Sequence, residues 1–95
     1  MTLHEIDLAP FIGGKARLWD FSPSHDRLVV KLIDRAGTES FLVLSGCEEL
    51  TLPIFWRVTT PRISAAKPPL LEFSDSRVQV RCQEVVLQHK YARSP

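Results

Sequence analysis

The side chains of this chain that could do covalent or metal chemistry are three histidines and two cysteines. His4, His25 and His89 lie far apart. None is spaced from another His, Cys, Asp or Glu as a pair of metal ligands on one element would be. The sequence thus points to no metal site, and it carries no cofactor motif. His4-Glu5 and His25-Asp26 are adjacent pairs, which a strand would direct to opposite faces. His25 and Asp26 fall in a turn, however, and turns at strand ends are where sites are built. A thiol–imidazole pair needs a Cys beside a His, with a third group to orient the base. Cys47 or Cys82 would have to meet His25 or His89 in space, and the favoured constellation is His25, Asp26 and Cys47, assembled only in three dimensions. It would suit a small enzyme or a small-molecule binder.

Other chemical patterns fall away on spacing. Leu44-Ser45-Gly46-Cys47 is not a hydrolase nucleophile elbow. Glu48 and Glu49 are adjacent and diverge, so they do not flank one substrate atom. Gly13-Gly14 lacks the spacing of a phosphate-cradling loop and reads as a turn. Catalysis is therefore the less favoured class.

The elements that would position these residues are strands. Residues 27–45 form the centre: Leu28, Val29, Val30, Leu32 and Ile33, then a polar turn with Gly37, then Phe41, Leu42, Val43 and Leu44. Two aliphatic runs joined by a short Gly-containing loop predict a β-hairpin. Both limbs are apolar with little alternation, so both faces of the hairpin should be at least partly covered. Residues 15–21 alternate, with Arg17, Trp19 and Phe21 on one face and Ala16, Leu18 and Asp20 on the other. The turn at residues 22–26 brings this strand against the hairpin as a meander.

Beyond Gly46 the pattern loosens. Pro53 precedes Ile54-Phe55-Trp56-Arg57-Val58, a strand suited to a sheet edge because proline lacks the N–H of a central position. Residues 59–69 hold Pro61, Pro68 and Pro69 and read as a loop. Residues 70–88 read as a C-terminal hairpin in which Val78, Val80 and Cys82 share a buried face. The phase then breaks, and a bulge near Gln83 and Glu84 would restore it. Residues 89–95 read as a polar tail, and residues 1–14 as a leading segment.

Ninety-five residues with a hydrophobic fraction of 44% make one globular domain. The prediction is an all-β antiparallel fold of about six or seven strands, barrel-like or sandwich, with at most one short helix. Two cysteines do not make a disulfide framework, no export signal opens the sequence, and no apolar run is long enough to span a membrane. A cytoplasmic protein of the small all-β type common in bacteria is expected. Its net charge is +1, and its basic residues occur singly along the chain, which argues against nucleic acid as a partner.

By elimination the expected function is non-enzymatic protein binding or assembly. Its expected surface is residues 54–58, because Trp and Arg are the types enriched at binding hot spots. Phe55, Trp56 and Arg57 are the candidate binding residues. Ile54, Trp56 and Val58 should share the core face, and Phe55 and Arg57 the outer one. An apolar edge with unpaired backbone groups also predicts a homodimer.

Overall fold

A computed structural model of the chain describes residues 6–22, 27–65 and 70–89. Among these residues it is an antiparallel β fold of nine strands with one turn of 3-10 helix, Ala9–Phe11. The strands are β1 (Lys15–Ser22), β2 (Arg27–Ile33), β3 (Glu39–Ser45), β4 (Glu49–Thr51), β5 (Phe55–Arg57), β6 (Arg62–Ala65), β7 (Leu71–Asp75), β8 (Val78–Cys82) and β9 (Glu84–Gln88). They form a five-stranded sheet, β5-β1-β2-β3-β9, and a four-stranded sheet, β4-β8-β7-β6. No helix among the described residues is long and apolar enough to cross a membrane.

Nine strands arise where the sequence pattern suggests fewer, because two extended runs each serve both sheets. β3 runs into β4 through Gly46, and β8 runs into β9 through Gln83. Backbone bonds from Gln83 to Ser45 (2.9 Å) and from Glu48 to Arg81 (2.9 Å) tie the two crossings side by side. Strands that switch sheets at such bends make the corners of a sandwich or barrel. Gly46 has φ +66 there, and a Cβ on it would lie 2.8 Å from the Gln83 side chain, so glycine fits the corner. The break in alternation after Cys82 is thus a change of sheet: Cys82 and Val85 are both buried, each on the inner face of its own sheet.

The inner faces meet in one core. Ala16, Leu28, Val30, Leu32, Leu42, Leu44 and Val85 come from the larger sheet, and Phe73, Val78, Val80 and Cys82 from the smaller. Residues 27–45 form the predicted hairpin, with Leu28 opposite Leu44 and Val30 opposite Leu42. Its outer face is also covered, by a second cluster of Val29, Phe41 and Val43 with Trp19 packed on it. Lys31 sits 4.5 Å above the Trp19 ring and pairs with Glu39 at 2.6 Å, so the cluster ends in a cation rather than open solvent.

Three expectations need correction. In β1 the register shifts between Leu18 and Asp20, so Phe21 pairs with inward-facing Leu28 and no longer shares a face with Arg17 and Trp19. One extra residue reverses the phase beyond it, which the alternation of residues 15–21 could not show. Within residues 59–69, Arg62–Ala65 forms β6, an edge strand paired only with β7. An edge strand needs just one good ladder, and it tolerated the surrounding prolines that made this stretch read as loop. Ile54 is 70% exposed and not part of the core. It lies opposite Leu18 at the bulged end of β1, where the inner face reaches its rim and Phe21 is itself 42% exposed.

Candidate functional site

The structure puts Phe55, Trp56 and Arg57 in β5, at the end of the five-stranded sheet, with β1 as neighbour on one side only. Val58 exchanges backbone bonds with Gly13 (2.9 Å) and Gly14 (3.1 Å), and the Ile54 carbonyl accepts from Leu18 N–H at 2.7 Å. Backbone groups alternate sides along a strand. Those of Ile54, Trp56 and Val58 therefore face β1, and those of Phe55 and Arg57 face the open edge. No described strand pairs with that edge.

Side chains divide at right angles to this. Trp56 and Val58 are buried in the common core, whereas Phe55 and Arg57 are on the outer face, Phe55 being 56% exposed. Trp56 reaches inward to Asp75, its indole Nε1–H donating to Oδ2 at 3.1 Å. Asp75 is only 1% exposed, yet four donors converge on its carboxylate. Besides the indole these are Thr60 N–H (2.8 Å), Thr59 Oγ1–H (3.0 Å) and Thr59 N–H (3.2 Å). A buried carboxylate is tolerated when its lone pairs are satisfied in this way. The residue lies at the turn between β7 and β8, where Ser76 adopts φ +50. Asp75 thus fastens the smaller sheet to the segment that leaves β5, and sequence reading did not single it out. Its only signal was an acidic residue at a position in phase with Leu71 and Phe73.

Between the open edge of β5 and the β7–β8 turn lies a cleft of about 370 Å³. Trp56 and Val78 line its apolar part, Pro53 and Phe55 one side, and Arg57 and Arg77 its charged rim. No acidic side chain lines it. The pairing of β1 with β5 sets Lys15 directly opposite Arg57 and Arg17 directly opposite Phe55. Basic residues dispersed in the sequence are therefore gathered around one exposed aromatic ring. Sequence reading missed Lys15, Arg17 and Arg77 because the gathering depends on strand register.

The other chemical candidates are only partly within the described residues. His25 and Asp26 lie outside the described residues, as does His4, while Cys47 is half-buried at the corner after β3 with its thiol 3.5 Å from the Leu44 carbonyl. Cys82 is fully buried and its thiol is pushed up to about 12, first by burial and then by the neighbouring Cys47. Both cysteines are free thiols. The buried Cys82 thiol stays protonated at neutral pH and is a poor nucleophile. His89 is exposed at the end of β9. Among the described residues no group of three or more His, Cys, Asp or Glu could hold a metal ion.

A second cleft of about 390 Å³ borders Gly13, Gly14 and Arg35. It is no phosphate cradle, because Gly13 N–H and Gly14 N–H already donate to the Val58 and Phe11 carbonyls. Gly14 marks a close approach instead: a Cβ there would lie 2.1 Å from the Ile33 carbonyl oxygen.

Set against known protein families, curated proteins and solved structures, the chain matches none.

Proposed function

We propose that this domain is a non-enzymatic protein-binding module whose binding element is the open edge of β5. The observation that carries this is Phe55, a large apolar side chain 56% exposed on a strand whose outward N–H and C=O groups have no described strand beside them. An exposed edge of this kind is a template for strand addition, in which an extended segment of a partner completes the ladder. Backbone bonds give such a contact its affinity, and side-chain pockets give it selectivity. The cleft beside Phe55 supplies the pocket. The homodimer expected from the sequence would use this same edge, as a special case of the same mode.

Proline substitution tests the mode. The Arg57 N–H faces away from β1, so Arg57→Pro removes a donor from the edge without removing one from the existing sheet. Affinity capture from a native lysate should yield a stoichiometric protein partner with the wild-type domain, and lose it with Arg57→Pro and with Phe55→Ala. Equal capture by a folded Arg57→Pro variant would place the binding surface elsewhere.

A further inference from the structure

We infer that the occupant of the β5 edge is an acidic extended segment of a partner protein, with a carboxylate and an apolar side chain two positions apart; this rests on strand addition at β5. Charge carries the argument. Lys15 and Arg57 stand directly opposite one another across β1 and β5, and like charges so placed destabilise a sheet. Arg17 lies beside them opposite Phe55, and Arg77 reaches the same cleft from the β7–β8 turn. No carboxylate of the described residues is within 4 Å of any of these four cations. Two other cations of the fold do meet carboxylates, while Arg35 and Arg62 do not among the described residues. Lys31 pairs with Glu39, and Arg81 lies 3.6 Å from Glu49 and 3.9 Å from Glu72. The nearest buried carboxylate, Asp75, is already saturated by four donors within its own chain. Those donors are neutral and leave the Asp75 charge in place, and Asp34 shares a cleft with Lys15. The four cations around one apolar ring nevertheless outnumber these carboxylates, and an anionic partner relieves the excess.

Strand geometry sets the spacing. In an added strand alternate side chains face the same way, so the residues beside Arg57 and Phe55 are two apart, one acidic and one apolar. Other occupants fit less well. A second copy would bring the same cations against their own equivalents. Single-stranded nucleic acid needs successive aromatic platforms, and this edge presents one exposed ring; it also leaves the backbone groups of Phe55 and Arg57 unused.

The test uses the intact domain and capped eight-residue peptides with Glu and Val two positions apart. Controls are a Gln-for-Glu peptide, a Lys-for-Glu peptide and a single-stranded oligonucleotide. Affinity is read by calorimetry, and edge pairing by hydrogen exchange at the amides of residues 55 and 57. The Glu peptide should bind at least about tenfold tighter than the Gln peptide, lose affinity with added salt, and slow both amides. Arg57→Glu combined with Arg77→Glu should transfer the preference to the Lys peptide. If the Gln peptide protects the amides as well as the Glu peptide does, the acidic occupant is wrong while strand addition stands. Preference for the oligonucleotide, or protection of these amides by self-association alone, overturns the proposal as well. If no probe and no concentration of the domain protects the two amides, strand addition and the acidic occupant both fall.

Discussion

Asp75 and Trp56 carry the clearest consequence of a single side chain in this fold. Removing the carboxylate leaves Trp56 Nε1–H and the Thr59 and Thr60 amides without the acceptor they share. Buried donors left unmet cost about 1–3 kcal/mol each where water cannot replace the partner. Asp75→Ala should therefore lower stability by about 3–5 kcal/mol in urea unfolding, whereas Thr59→Ala, which loses one hydroxyl bond, should cost about 1 kcal/mol. Trp56→Ala should likewise cost about 3–5 kcal/mol, and Phe55→Ala less than about 1 kcal/mol, since only the first is buried. A stable Trp56→Ala that no longer binds would invert this assignment of faces. Cys82 gives a pH-dependent counterpart. Its thiol is pushed from an ordinary 9.0 up to about 12 in the folded chain. Below pH 9 both states hold the proton and the contribution is fully present. Above it the unfolded chain ionises first, so stability falls as pH rises towards 12, by up to about 4 kcal/mol. The stability of wild type should therefore fall relative to that of Cys82→Val over that range. Parallel curves would mean the thiol is not so shielded.

At the scale of elements, the legible strands were those with a strong local pattern. The aliphatic limbs of residues 27–45 and the alternation of Val78, Val80 and Cys82 named their strands directly, and Pro53 marked β5 as an edge. What stayed hidden was set by partners distant in sequence. The β1 bulge exists because Phe21 must meet Leu28 while Trp19 covers Val29 and Phe41, and β6 exists because β7 offers a ladder. The corner at Gly46 and Gln83 left only a phase break, which is equally the mark of a bulge. The candidate site was legible in the same uneven way. Phe55 and Arg57 face outward as their alternation implied, but the cations around them depend on the β1–β5 register. At this corner Gly46→Ala is the informative substitution. It forces a side chain into φ +66 and against Gln83, though Gln83 is flexible and can move. A loss of about 1 kcal/mol with unchanged binding at β5 is expected from thermal unfolding and peptide calorimetry. A loss of binding would instead couple the corner to the edge.

For the whole molecule, protection from exchange should follow position in the two sheets. β2 lies between β1 and β3, and β3 between β2 and β9, so both are flanked by ladders on two sides over most of their length. Their side chains are also covered on both faces, with Leu28, Val30, Leu42 and Leu44 in the common core and Val29, Phe41 and Val43 in the outer cluster. Opening this pair exposes both clusters at once, which amounts to global unfolding. β7 and β8 are central in the smaller sheet, but their outer face is polar: Glu72, Gln79 and Arg81 face solvent there and form one hydrogen bond and loose ion pairs. Local opening of β7 and β8 breaches one apolar layer only. β5 stands at the other extreme, three residues long and paired on one side. Native-state hydrogen exchange should rank the amides accordingly: β2 and β3 exchange only through global unfolding, β7 and β8 faster, and the outward amides of Phe55 and Arg57 fastest of the strand residues. Adding a bound partner segment should slow those two amides and leave the ranking of the rest unchanged. Amides of β7 and β8 that outlast β2 and β3 would show that the stability of this fold centres on the smaller sheet, and that the doubly covered hairpin is not its last structure to open.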